Sequence, residues 1–385
     1  MFRSKIAIAI ASLFVVPSIS HAISLTDYDV PTSHWDEAYL VGSGIMKSGN
    51  QDQSSYNYKV GANYASNYTS PMQNWRILID GDADVSRGAN DGDKRTSDYK
   101  ADAGVVVENY LNEGNNTFWF GDADVGVRKD ADNARIRIRG GIGYGRLIHA
   151  TPLANALSLV DELRDYGIVR GDLSRDAYIR LAQVIDRESE FKSVHGLEEY
   201  EAHWYQAMEA VLRESGVLTR DGVGADGALH MRRVLVDEPA FTRIHGWDVR
   251  AGVGYLVRNY DGDKGDPTLG AQFRYAMPIG LLAQFLNTTE YNTVLADDTN
   301  HEFMNRMSYT VEVSSQMDWI NSWRIDHTRY GESNRSDFTR NRLFSGIEYH
   351  ITNQVTADLG VEGIKRNDGG DWDLTTRLNL IYRLK

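Results

Sequence analysis

From about residue 35 onward, apolar and polar side chains alternate along most of the chain. Tyr56, Tyr58, Val60, Ala62 and Tyr64 are interleaved with Asn57, Lys59, Gly61 and Asn63. Trp75, Ile77, Ile79, Ala83 and Val85 are interleaved in the same way with Arg76, Asp80, Asp82 and Asp84. A period of two places successive side chains on opposite faces of an extended strand. The pattern recurs over 99–110, 119–128 and 135–146, then over 247–260, 269–275, 281–291, 307–316, 323–330, 340–350, 355–365 and 374–384. With a first strand near 39–46 it predicts about fourteen antiparallel strands, within a range of roughly 12–16. Most are about nine to thirteen residues long, the length a tilted strand needs to cross hydrocarbon, whereas strands of a soluble sandwich average about five or six. One face is Val, Ile, Leu, Ala, Tyr and Trp; the other is Asp, Arg, Glu, Asn, Thr and Gly. A closed transmembrane barrel, with lipid outside and a polar lumen, accounts for both features.

The period changes to 3.6 between residues 152 and 238. Leu153, Leu157, Val160 and Leu163 share one helix face up to Gly167. Ser174 is placed to cap a second helix carrying Tyr178, Leu181, Val184 and Ile185. A third is expected over 197–213, presenting Tyr200, Trp204, Met208, Val211 and Leu212, and a short fourth over 228–236. Glycines 222, 224 and 227 read as a flexible joint. The domain plan is therefore 1–22, a first barrel portion over 23–151 with about six strands, a helical insert over 152–238, and a second portion over 239–385 with about eight strands. Numbered from a periplasmic N-terminus, the insert follows strand six and falls on the periplasmic side. It reads either as a small bundle whose apolar faces only pack on one another, or as a docking platform for a periplasmic protein or a plug that controls the pore, since an excursion of this length exceeds what a connection needs.

Residues 1–22 carry Arg3 and Lys5, an apolar run over 6–16 and Ser20-His21-Ala22, the plan of a secretory signal peptide cleaved after Ala22. That run is too short to span a bilayer as a helix. The chain has no Cys, which excludes a disulfide scaffold and a thiolate metal site. A net charge of −13 argues against nucleic acid as a partner. No cofactor is expected.

If the polar face lines a lumen, Asp80, Asp82, Asp84, Asp102, Asp122 and Asp124 form an acidic sector, joined by Glu108. Arg135, Arg137, Arg139, Arg250, Arg258, Arg274, Arg324, Arg342 and Arg377 form a basic one. Opposed charged walls orient charged solutes and focus the local potential; the same charges, if paired, brace the wall instead. The loops at 49–52, 88–94, 130–133, 261–266, 296–301, 331–337 and 367–371 are polar and mostly acidic, while connections such as 277–280 and 351–354 are short. Trp75, Trp119, Trp247, Trp319, Trp323 and Trp372 fall near strand ends, as an aromatic girdle requires.

In these respects the chain resembles Gram-negative outer-membrane β-barrels, especially porin-like channels and barrels of exopolysaccharide export. The resemblance implies an outer-membrane location, contact with membrane lipid and lipopolysaccharide, and passage of a polysaccharide or other charged solute. Arg-rich walls suit acidic sugars, and Tyr and Trp stack on sugar rings. The alternative is a non-conducting barrel that anchors a periplasmic docking domain. No metal site is assigned: Asp80, Asp82 and Asp84 lie along a strand, and Asp261, Asp263 and Asp266 read as a solvated loop. An enzyme is not expected. His327-Thr328-Arg329 followed by Asn341-Arg342 faintly resembles outer-membrane phospholipase A, but Arg329 stands where the nucleophilic Ser belongs. Asp326, His327 and Asp337 are the other candidate hydrolytic group.

Overall fold

The computed structural model describes residues 23–30, 32–238, 241–262, 265–295, 299–331, 336–352, 354–367 and 369–384. Residues 1–22, read as a signal peptide, lie outside these, as do Asp263 and parts of the loops at 296–301, 331–337 and 367–371 and of the turn at 351–354.

The fourteen alternating stretches form fourteen strands: β1 (Ser33–Lys47), β2 (Ser55–Thr69), β3 (Gln73–Arg87), β4 (Thr96–Tyr110), β5 (Thr117–Arg128), β6 (Arg135–His149), β7 (Ile244–Arg258), β8 (Asp266–Ile279), β9 (Ala283–Val294), β10 (Asn300–Ser314), β11 (Met317–Arg329), β12 (Phe338–His350), β13 (Val355–Arg366) and β14 (Asp373–Arg383). Each pairs antiparallel with its neighbours in sequence, and β1 pairs with β14 to close the ring. The closing junction is short. It joins Tyr39–Gly42 to Leu380–Arg383, whereas β1 pairs with β2 along its whole length.

Side chains on strands that are not neighbours can meet only across the lumen, and such contacts identify the inner face. Arg250 on β7 and Arg274 on β8 both reach Glu108 on β4, and Arg139 on β6 reaches Asn292 on β9. The opposite face carries Val60, Ile79, Val105, Ile138, Ile142, Val253, Leu269, Leu359 and Leu378, all exposed and all apolar. In lipid that exposure is burial, and the ladders between neighbouring strands keep their backbone polar groups within the ring. Trp75, Trp119, Trp247 and Trp319 lie within the first turns of residues of their strands, at the end of the barrel that carries the chain termini. Trp323 departs from the expected girdle, because β11 begins at Met317 and leaves it mid-strand.

Between β6 and β7 lie α1 (Thr151–Asp165), α2 (Arg175–Asp186), α3 (Glu188–Glu214), α4 (Gly224–Arg232) and a π-helical turn (Arg233–Asp237). Ser174 caps α2 by accepting from the Ala177 amide. Within α3, Gly196 is non-helical, with a φ of 76° that glycine adopts readily, and it separates a short leading helical piece from the helix that follows, which begins where the apolar spacing places it. Of the glycines expected to form a joint, Gly222 precedes α4, Gly224 opens it and Gly227 lies within it, buried against Val223 and Ile168. Leu153, Leu157, Val160, Tyr178, Leu181, Trp204, Met208 and Leu212 form the bundle core. Trp204 donates its indole N–H to the Val184 carbonyl at 2.8 Å. Ile23, Leu25 and Tyr28 belong to this core too. Residues 23–28 therefore pack with the helical insert, not with the first barrel portion, where the sequence placed them.

Candidate functional site: a charged lumen beneath a helical cap

Strand β6 reads Gly140-Gly141-Ile142-Gly143-Tyr144-Gly145, and β7 carries Gly252 and Gly254. The inner face is bare at Gly141 and Gly143, and Phe118 and Phe120 from β5 lie there instead. A Cβ on Gly143 would stand 2.3 Å from the Phe118 ring, and one on Gly141 only 2.2 Å from the Ala251 carbonyl oxygen. The sheet is consequently folded tightly over β4–β8, and Tyr110, Phe118 and Phe120 form a small buried cluster inside the bend.

Charged groups close over that cluster. Glu108 accepts from Arg250 at 3.1 Å and from Arg274 at 3.3 Å, and Arg274 is also paired with Asp248. Gln272 accepts from Arg250 and donates to Glu290 at 2.6 Å. Arg76 on β3 lies within electrostatic reach of all four ions. Glu108, Asp248 and Arg250 are 5%, 1% and 7% exposed, so this is a desolvated network and not a solvated surface. Three guanidinium groups face Glu108 and Asp248, with Glu290 reached through Gln272, so the network is close to charge balance.

Towards the loops, the β5–β6 charges pair across neighbouring strands. Arg139 donates to Asp122 at 2.9 Å, Arg137 to Asp124 at 2.7 Å, and Arg135 to Asp124 and Asp102 at 3.0 and 3.1 Å. Asp80 accepts from Asn63, Asp82 pairs with Lys100 at 3.2 Å, and Asp84 faces the lumen opposite Asp98. On the far wall Arg324 and Arg340 hold Asp326 at 2.7 and 3.0 Å, while Arg342 and Arg377 hold Glu362. All the charged residues singled out from the sequence therefore line the lumen except Arg258. A bulge between Ile136 and Arg137 pairs Arg258 with the outward-facing Ile136, and it stands exposed at the rim, donating to Asn133 at 3.2 Å.

Two expectations about charge need correction. The acidic and basic residues of β5 and β6 are adjacent and paired, so they do not form opposed walls. A second acidic group, Glu312, Asp318, Glu348, Asp358 and Glu362, occupies β10–β13, where the sequence reading placed a basic wall. Asp248 and Arg76 were also passed over, although their alternation with apolar neighbours marks them as inner-face positions. Asp326 and His327 are consecutive on a strand and point to opposite faces: Asp326 into the lumen, His327 outward to Thr339 at 2.9 Å. They do not form an acid–base pair.

The helical insert sits on the barrel rim at the terminal end. Asp186 of α2 accepts from Ser33 of β1 at 3.1 Å, and Ser33 is also bonded to His149 of β6 at 3.3 Å. Trp35 stacks on His149. Arg243, 1% exposed, donates to the Leu281 carbonyl in the β8–β9 turn at 2.8 Å and pairs with Glu312 of β10 at 3.0 Å. His245 meets the Tyr28 carbonyl at 2.7 Å, fastening the N-terminal segment to β7. Burial pushes the Asp186 carboxyl up to about 6, the Ser33 hydrogen bond offsetting part of the rise.

No protein-family model matches the chain, and no curated protein matches it by sequence. Similar solved structures include the translocator domain of autotransporter NalP from Neisseria meningitidis, at 8% identity over 93% of this chain and 90% of that one, with a TM-score of 0.30. The high-pH structure of Pseudomonas putida OprB shares 7% identity over 93% and 94%, with a TM-score of 0.37. CdiB from Escherichia coli shares 7% over 91% of this chain and 63% of its own, with a TM-score of 0.42. The class is the closed outer-membrane β-barrel, and it rests on the ring of fourteen strands and its apolar outer face. Within that class the chain is distinguished by its lumen charges and its helical cap.

Proposed function

We propose that the protein is a gated channel of the outer membrane for an anionic solute, exported to its site by residues 1–22 acting as a signal peptide. The observation that carries the reading is the helical insert seated on the rim from β1 and β6 round to β10, across the mouth that faces the periplasm in barrels with short periplasmic turns. The anion reading is supported by Arg76, Arg250 and Arg274, three guanidinium groups gathered in a narrow, poorly solvated passage where an anion can exchange for their carboxylate partners. An acidic polysaccharide is one such cargo. For stacking on sugar rings the inner face offers Trp35 and Tyr39, while Tyr58, Tyr64, Tyr68, Tyr144, Tyr255 and Trp247 are on the outer face.

The test is planar-bilayer conductance of the protein and of a variant lacking residues 153–237. A gated channel conducts more, and in larger steps, without the insert, with a reversal potential on the anion side. The second reading, a solid barrel anchoring a periplasmic docking domain, is favoured by the Glu108–Arg250 contact across the lumen. Silence from both proteins, each showing heat-modifiable migration, would establish it instead.

A further inference from the structure

Near the capped mouth, three inner-face side chains converge that the channel reading does not use. Asp318 stands near the start of β11, and Glu348 and His350 close β12. Asp318 and Glu348 are direct register partners, and His350 follows on the same face. One ligand atom from each lies within 4.8 Å of the others. The three come from two strands with no motif spacing between them, which is why the sequence does not announce the set.

Two further observations point to a cation-binding set. Asp358 lies directly opposite Glu348, on the inner face of β13, and is 9% exposed. Its Oδ2 accepts from Asn379 on the β14 side at 2.9 Å, while its Oδ1 is buried without a donor among the described residues. A buried carboxylate oxygen left unsatisfied is unfavourable. Arg243, the guanidinium that reaches Asp318 electrostatically, is occupied by Glu312 and the Leu281 carbonyl. The second observation is the imidazole setting. His350 Nδ1 is bonded to Thr356 Oγ1 at 3.0 Å, and Nε2 points to Asp318 at 2.9 Å. With its proton on Nδ1 donated to Thr356, the ring presents the Nε2 lone pair to the carboxylates, the outer-shell arrangement that orients metal-binding histidines.

We propose that Asp318, Glu348 and His350 bind a divalent transition-metal ion, with Asp358 as a further carboxylate at the edge of the site. Ligands about 2.0–2.2 Å from an ion lie no more than about 4 Å apart, so small side-chain rotations complete the site. An imidazole among the ligands favours zinc over calcium or magnesium, which take oxygen. A cleft of about 280 Å³ lined by His350, Gln316, Thr352, Asp237 and Glu238 gives access between the insert and the rim.

The test is independent of whether the barrel conducts. Chelator-stripped protein in detergent is titrated with zinc chloride by calorimetry. One ion per chain is expected, with His350→Ala and Asp318→Asn each weakening binding tenfold or more, and Thr356→Val weakening it about tenfold through the ring orientation. His195 and His203, stacked on α3, are the competing histidines, so His203→Ala should leave the titration unchanged. Heat-modifiable migration verifies each barrel, and Glu348→Gln replaces any variant that fails it. Absence of saturable binding, or binding that survives both His350→Ala and Asp318→Asn, would overturn the proposal.

Discussion

Glu108 is the residue on which the narrow part of the lumen depends. It accepts from two arginines on strands beyond its neighbours, and removing one partner of a buried ion network strands the others. Glu108→Gln should destabilise the barrel by about 3 kcal/mol, read as a lower denaturant midpoint, and shift the reversal potential further towards anions. A stability loss without a change in selectivity would leave the network a bracing role alone. Asp186 behaves differently, because its folded carboxyl titrates near 6 against an ordinary value near 4. The neutral form is therefore favoured in the docked insert. The stability from this group is complete below about pH 4 and is lost as pH rises through 6. The Asp186 contribution to docking should favour pH 4.5 over pH 7.5 by on the order of 2 kcal/mol, read as the change with pH in the difference between the protein and its Asp186→Asn variant in proteolysis of the insert, a comparison from which the neighbouring His149 cancels. At this scale the sequence revealed which charges face inward, since alternation decides that. It could not reveal their partners: Glu108 and Arg250 lie 142 positions apart, and only the curvature of the ring brings them together.

The strands were legible because fourteen stretches each repeat a period of two with one consistently apolar face. Their ends were less so. β1 begins at Ser33 and β2 runs to Thr69, since backbone pairing continues through polar residues after the apolar signal fades. The glycines of β6 held information that alternation does not express. They mark where the sheet must bend sharply and where a neighbouring ring must lie. Gly141→Ala should prevent β6 from pairing with β7, because the added carbon meets main chain at Ala251 and Gly252 that cannot rotate away. Loss of the fast-migrating unboiled band is the expected outcome; a normal band would show that the bend relaxes. The helices were read correctly where heptad-like spacing was dense. The helical piece ahead of Gly196 was not legible, because it is short and carries no apolar stripe of its own, while Gly196 breaks the helix and marks the start of the one that was read.

For the whole molecule, strand number, antiparallel closure and the position of the helical insert follow from local patterns and short connections. The cross-section does not. Fourteen strands could enclose a round pore, yet β4–β8 fold over Tyr110, Phe118 and Phe120, and β1 meets β6 through Ser33 and His149. Shape of this kind depends on contacts between distant strands, which no window of sequence contains. The closing junction has a different consequence. A ring under thermal stress parts where the fewest main-chain bonds hold it, and here that is the seam of Tyr39–Gly42 with Leu380–Arg383. Amides of this seam should exchange with solvent deuterium ahead of those along β2–β3. The barrel is thus a hoop with one light clasp: it unfastens at its two ends in sequence before any other pair of staves separates, and it is there that its assembly finishes last.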